Sequence, residues 1–127
     1  MARWRAGLGL VAGVMLVLSS AAHSVLGWKA IGGELAAAGV PADLTFGLKA
    51  GWQFGGASML AFGIICISMF AMRLRRRSVP SFPAFVIGGV YLVFGAWALA
   101  ASQFDPFFLI FIVPAILLVA ASTGGSA

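Results

Sequence analysis

Four long apolar stretches occupy most of this 127-residue chain: residues 7–28, 50–72, 84–102 and 104–122. Each approaches the roughly 20 residues that a helix needs to cross a bilayer. Backbone N–H and C=O groups find no partner in lipid, so such segments must be helical, and none shows the alternation of a barrel strand. The sequence predicts an all-α, integral membrane four-helix bundle that forms one domain over residues 1–127.

Composition excludes a water-soluble domain and several kinds of site. Hydrophobic residues make up 62% of the chain and charged residues 9%, which is too little polar surface for a soluble protein of this size. One cysteine, Cys66, excludes an internal disulfide, and one histidine, His23, excludes a multi-histidine metal site within one chain. We expect no metal, and the sequence indicates no particular cofactor. The net charge of +5 comes from basic residues beside apolar stretches, so no nucleic-acid partner is expected.

Basic residues predict which way the bundle faces. Six arginines precede the first stretch or follow the second: Arg3, Arg5, Arg73, Arg75, Arg76 and Arg77. Basic residues in short loops stay on the cytoplasmic side, so both termini are predicted to be cytoplasmic, as an even number of spans requires. The opposite side receives the turn 102–105 and the loop 29–49, with only a turn or two of interfacial helix over 34–38. We expect a multi-pass protein of the bacterial inner membrane.

The N-terminus leaves a second interpretation open. Its basic start, the apolar residues 7–18 and the small residues 20–22 are also typical of a secretory signal that is cleaved before His23. Cleavage would leave three spans. The apolar character continues to Trp28, which favours an uncleaved first span.

Loop length and small residues predict how the helices pack. The connection between the second and third stretches is short, so these two helices are expected to be antiparallel neighbours. Small residues recur at helix-contact spacing in three stretches: Gly9, Gly13, Gly47, Gly51, Gly55, Gly88 and Gly95. Tyr91 lies in the same row as the last two. These rows predict close packing within the bundle, with a face for a partner or a second copy as the alternative.

Polar residues near the outer ends of the first two stretches form the best candidate ligand site: His23, Lys49, Trp52 and Gln53. Lys49 and Gln53 are four residues apart and therefore share one helix face. If the first two helices pack together, these side chains meet His23 beneath the outer loop, with Asp105 nearby. A structural role stays open, in which Lys49 reaches water and Gln53 bonds a neighbouring helix.

Three segments carry a resemblance to known proteins: HSVLGW, GLKAGWQFGGASMLAFG and FDPFFLIFIVPAILL. They resemble segments of small four-span bacterial membrane proteins that have no established activity. In general outline the chain is also similar to the DoxX-like family of four-helix membrane proteins. The resemblance spans most of the chain, implies the four-helix architecture and implies no site residues.

Several functions follow as hypotheses. The first is a non-enzymatic accessory or scaffolding component that acts through helix contacts in a larger membrane complex or a homo-oligomer. The second is a binder or carrier of a lipid, quinone or haem, in which the polar cluster is joined by Trp52, Phe104, Phe107 and Phe108. A small dimeric exporter is a third. An enzyme is not expected, because His23, Lys49 and Tyr91 are the only groups suited to moving protons.

Overall fold

The computed structural model describes residues 3–123, and the regular structure in that range is entirely helical. It forms four helices: α1, Arg3–Ala37; α2, Ala42–Leu74; α3, Phe82–Ala101; and α4, Pro106–Ser122. A π-helical turn, Ala22–Gly27, divides α1 into the α-helical parts Arg3–Ala21 and Trp28–Ala37. The predicted all-α class with four helices is confirmed.

The helices run alternately up and down, so their connections lie at two opposite ends of the bundle. The α1–α2 and α3–α4 connections lie at one end, here called the hairpin end. The connection 75–81 lies at the other, here called the arginine end. Helix α1 packs against α2 and α4, and α4 packs against α3.

The contact between α2 and α3 is slight, although the short connection predicts close neighbours. Residues 77–80 are not helical and carry the chain away from α2. The Arg73 guanidinium holds this connection by donating to the carbonyl oxygen of Val79, at 2.7 Å from Nη2 and 3.2 Å from Nε. Helix α3 is instead held by α4.

Three helices, α1, α2 and α3, are long and apolar enough to cross a membrane, which corrects the prediction of four full spans. The α-helical part of α4, Leu109–Ser122, has only 14 residues. The predicted stretch 104–122 starts too early, because Gln103 and Phe104 have φ of 59° and 65° and reverse the chain. Helix α4 begins after this turn, where Asp105 Oδ1 accepts from the N–H of Phe107 at 2.9 Å.

The predicted outer loop 29–49 is almost entirely helical, which is a second correction. Helix α1 continues to Ala37 and α2 begins at Ala42, so the non-helical connection is only residues 38–41. Gly39 permits the reversal with a φ of 68°, a conformation that suits a residue without Cβ. At a rise of about 1.5 Å per residue, the 35 residues of α1 exceed the 20 of α3 by about 22 Å. The four helices share their core at the arginine end, so the extra length of α1 and α2 projects at the hairpin end.

Glycines let the backbones of α1 and α2 approach closely. A Cβ added to Gly13 would lie 2.8 Å from Ile67 Cγ1 and 3.0 Å from the Ile67 backbone nitrogen. A Cβ added to Gly63 would lie 2.7 Å from Val17 Cγ2 and 3.0 Å from the carbonyl oxygen of Gly13. Gly9 packs in the same way beneath the ring of Phe70. These contacts pair α1 with α2 in antiparallel register.

Four of the five remaining predicted packing glycines divide into two groups, and the fifth, Gly55, lies beside His23. Gly88 and Gly95 face α4, where an added Cβ would meet Leu118 Cβ at 3.1 Å and Ile112 Cγ1 at 2.8 Å. Gly47 and Gly51 differ from the expectation, because nothing lies within 4 Å of a Cβ at either position. Both are exposed.

One apolar core joins all four helices toward the arginine end. Its fully buried side chains come from each helix in turn and include Leu16, Phe70, Ala84 and Leu118. The charged residues lie outside this core, with the six arginines toward the arginine end and the two lysines and three acids toward the hairpin end. Charge is therefore segregated to the two ends of an apolar body.

Replacing Gly13 with Ala tests the close approach of α1 and α2. The added methyl group meets backbone atoms, so we expect the free energy of unfolding to fall by about 1–3 kcal/mol. Gly89→Ala is the matched control, since nothing lies within 4 Å of its added Cβ and its helix propensity improves by up to about 1 kcal/mol. Thermal unfolding of both purified variants, followed by circular dichroism, provides the comparison. Equal stability of the two variants would contradict the packing.

Candidate ligand cavity

The π-helical turn of α1 is tied to α2 by two side chains. The wider turn of a π-helix alters the direction of its carbonyl groups, and such turns are frequent at functional sites. Here the carbonyl oxygen of His23 accepts from Trp52 Nε1 at 2.7 Å, and that of Ser24 accepts from Gln53 Nε2 at 2.9 Å. Consecutive residues of α2 therefore clasp consecutive residues of α1.

His23 and Trp52 form a reciprocal pair. The imidazole Nε2 of His23 donates to the carbonyl oxygen of Trp52 at 3.0 Å, in return for the bond that the indole donates. The two rings stack with centroids 4.2 Å apart and planes 4° from parallel. Because a carbonyl oxygen only accepts, Nε2 carries the ring proton in this arrangement. In the neutral ring, Nδ1 is then an acceptor, and no residue in 3–123 donates to it.

Three glycines make room for this pair, and the sequence analysis identified only one of them. An added Cβ would lie 3.4 Å from His23 Nε2 at Gly55 and 2.9 Å from Trp52 Cζ2 at Gly27. At Gly56 it would collide with the Ser24 hydroxyl. Gly56 is buried and Gly55 is half-buried. The two adjacent glycines were the available signal in the sequence, and the register of α1 on α2 decided which of them packs more closely.

Of the predicted cluster, His23, Trp52 and Gln53 come together and Lys49 does not join them. Lys49 is exposed near the hairpin end, with its ammonium 6.0 Å from the centroid of the Trp28 ring. Asp105 is also apart, at the start of α4. Lys49 lies one turn beyond Gln53 along α2, beyond the level at which α1 approaches closely.

A cavity of about 730 Å³ lies beside the His23–Trp52 pair and is lined by all four helices. Its residues are almost all apolar or aromatic, and the predicted Phe107 and Phe108 are among them, whereas Phe104 is not. Leu26 and Phe107 in its wall are 66% and 64% exposed, whereas Tyr91 is 6% exposed. The cavity therefore opens near the hairpin end and is deepest at Tyr91.

The Tyr91 hydroxyl is buried and has no hydrogen-bond partner in residues 3–123. A buried polar group without a partner costs about 1–3 kcal/mol. The sequence placed Tyr91 in a packing row, and in the structure the residue borders the cavity while its hydroxyl oxygen is closed off from it. That position arises because Gly88 and Gly95, one turn to either side, seat α3 on α4.

Aromatic rings from α3 and α4 form one wall of the cavity, with Phe111 at its centre. The Phe111 ring lies 6.0 Å from Tyr91, 5.1 Å from Phe94 and 6.4 Å from Phe108, measured between centroids. Phe94 meets it edge to face, and Phe108 lies within 21° of parallel to it. Both are favourable geometries for aromatic pairs, so the wall is a packed aromatic surface.

Within residues 3–123, no three His, Cys, Asp or Glu side chains lie close enough together to hold a metal ion. Comparison of the chain with protein-family models, with curated proteins and with solved structures found no match. The resemblance to DoxX-like proteins therefore stays a prediction. The cavity itself is the basis for assigning a function.

Replacing Trp52 with Phe tests the clasp between α1 and α2. Phenylalanine keeps an aromatic ring against His23 but cannot donate to its carbonyl oxygen, so we expect a loss of about 1 kcal/mol in the free energy of unfolding. Trp97→Phe is the control, because the Trp97 side chain is 64% exposed and the ring contact it makes within residues 3–123 is with Phe94. Denaturation of the two purified variants in the same detergent measures the free energy of unfolding of each. A loss of the same size in Trp97→Phe would argue against the clasp.

Proposed function

We propose that this protein binds or carries a small, largely apolar molecule within the membrane. The observation that supports this most directly is the cavity between the four helices. Its volume of about 730 Å³ falls within the roughly 300–1,000 Å³ of small-molecule sites. Its wall is apolar and aromatic, with few polar groups, which is the chemistry of such sites.

The proposal places the protein in a bacterial inner membrane with the arginine end in the cytoplasm. Three long apolar helices support insertion, and the six arginines at one end support that orientation through the positive-inside rule. Helix α4 is short, and its packing on α1 and α3 supports burying it in the same bundle. The cavity then opens toward the outer leaflet.

Binding or carriage is proposed in preference to catalysis. Two of the three groups suited to proton transfer border the cavity, and they are Tyr91 and His23. The His23 ring is already committed to Trp52 through a stack and a hydrogen bond. Lys49, the third group, lies outside the cavity wall. This arrangement leaves an apolar wall and supports binding of a largely apolar molecule.

Purification from native membranes in mild detergent, followed by mass spectrometry of bound small molecules, tests the cavity. Ala22 lines it, so Ala22→Phe narrows it, and we expect the amount of co-purifying ligand to fall on the order of tenfold, equivalent to about 1.4 kcal/mol. Ala57→Phe is the matched control, because Ala57 is exposed on α2 outside the cavity wall. Wild-type protein that carries no small molecule, or equal loading of both variants, would refute the proposal.

The accessory role remains a second proposal, supported by one observation. Gly47 and Gly51 are four residues apart on α2 and have open space where packed glycines have neighbours. Small residues at this spacing allow close helix contact in membranes. A second chain that packs there would use a row of small residues that the fold leaves free.

Bulky substitution at these two glycines tests the accessory role. If a second chain packs there, Gly47→Leu combined with Gly51→Leu removes its close approach, and native mass spectrometry loses the companion. Gly7→Leu combined with Gly89→Leu adds the same side chains at two other open positions and should retain it. A lone monomer in the wild type would rule the role out.

A further inference from the structure

We infer that the arginine end of the bundle binds the headgroup of an anionic phospholipid. The inference goes beyond the proposed function, because it concerns the opposite end of the molecule from the opening of the cavity. It needs the protein to lie in a membrane, and it does not need the cavity to hold a ligand. Three observations carry it: a group of unneutralised positive charges, exposed apolar side chains beside them, and an arginine with a left-handed backbone conformation.

The packing of α1 on α2 gathers arginines from two parts of the chain. Gly9 lies against the ring of Phe70, and the antiparallel register of this contact continues to the ends of the two helices. Residue 3 is then level with residue 76, so the start of α1 lies beside the segment that follows α2. The arginines that meet there are Arg3, Arg5, Arg75, Arg76 and Arg77. The positive-inside rule only requires them to be on one side, whereas the fold brings them together.

No side-chain carboxylate balances this charge. All three side-chain acids of the sequence lie toward the hairpin end: Glu34, Asp43 and Asp105. Arg73 is not counted in the group, because it already donates to the carbonyl oxygen of Val79. Neighbouring guanidinium groups repel one another, so an anion bound among them lowers the free energy. A phosphodiester suits them, because its two unesterified oxygens match the paired donors of a guanidinium group.

Exposed apolar side chains beside the arginines favour a lipid as the occupant. Trp4 is 60% exposed and Phe82, at the start of α3, is 71% exposed. The Arg5 guanidinium carbon lies 5.3 Å from the centroid of the Trp4 ring. Tryptophan rings prefer the headgroup level of a bilayer, which is also the level of the lipid phosphates. A nucleic acid would match the charge but would offer no hydrocarbon to these rings, whereas a phospholipid offers both.

Arg76 has a backbone conformation that suits glycine better. Its φ of 59° lies in the left-handed region. Its N–H donates to the carbonyl oxygen of Arg73 at 3.0 Å, and the N–H of Arg77 donates to that of Met72 at 3.1 Å, which closes the end of α2. Helices that end in this way usually have glycine at this position. An arginine there costs stability and adds an exposed charge, and strained positions of this kind cluster at ligand sites.

Lipid titration followed by native mass spectrometry tests the inference on the full-length protein in mild detergent. The lipid probes are dioleoyl phosphatidylglycerol, which is anionic, and dioleoyl phosphatidylcholine, which has the same acyl chains and no net charge. Inorganic phosphate and a thymidine oligonucleotide supply anions without acyl chains. Each titration gives a dissociation constant for the first molecule bound.

We expect the wild type to bind phosphatidylglycerol on the order of tenfold more tightly than phosphatidylcholine. Arg75→Gln combined with Arg77→Gln should remove most of this preference by weakening the binding of phosphatidylglycerol alone. Four arginines remain at that end, so the orientation in the membrane is kept. Lys29→Gln combined with Lys49→Gln is the matched control, because it removes the same charge from the hairpin end and should retain the preference.

Arg76→Gly separates lipid binding from folding. Glycine adopts the left-handed conformation without strain, so this variant should melt at the same temperature as the wild type or a few degrees higher. It also lacks one guanidinium group, so we expect phosphatidylglycerol to bind about fivefold more weakly. Undiminished affinity in this variant would overturn the role of Arg76.

Three outcomes would overturn the inference as a whole. Equal affinity of the wild type for the two lipids would show that the charge does not select a headgroup. An equal loss in the lysine control would show that net charge acts without a local site. Tighter binding of phosphate or of the oligonucleotide than of phosphatidylglycerol would assign the arginine end to a soluble anion. None of these results depends on whether a small molecule co-purifies with the native protein, so the proposed function and this inference can fail separately.

Discussion

Close backbone packing of α1 on α2 is the constraint on which the rest of the structure depends. Gly13 and Gly63 interlock so tightly that a single methyl group would collide with backbone atoms of the other helix. This contact sets the register that brings His23 against Trp52 and the carbonyl oxygen of Ser24 against Gln53. The contacts around the His23–Trp52 pair therefore depend on helix packing several turns away.

The cavity follows from unequal packing around the ring of helices. Helices α1 and α2 are close, and so are α3 and α4, whereas α2 and α3 barely meet. The core is filled toward the arginine end by side chains such as Leu16 and Phe70. Toward the hairpin end, residues 19–31 of α1 stand opposite aromatic rings of α3 and α4 without filling the space between them, and the cavity remains there.

The buried, unpaired hydroxyl of Tyr91 lowers the stability of the fold. A phenylalanine there would fill the same volume without an unpaired polar atom, so the chain would be more stable with it. His23 differs, because its ring is already paired and mainly joins two helices.

The sequence by itself determined the helical class, the apolar body and the separation of charge to two ends, because each depends on local composition and on unpaired backbone groups in lipid. It also identified His23, Trp52 and Gln53 and five of the glycines that pack at the helix interfaces, Gly9, Gly13, Gly55, Gly88 and Gly95. Only the tertiary structure decided that loop 29–49 is helical, that Gly47 and Gly51 face outward and that Lys49 stands apart. The cavity and the unpaired hydroxyl of Tyr91 also belong to this second group. The reason is physical: helical periodicity defines faces, but the rotation and register that turn one face toward another are set by contacts between residues far apart in the chain.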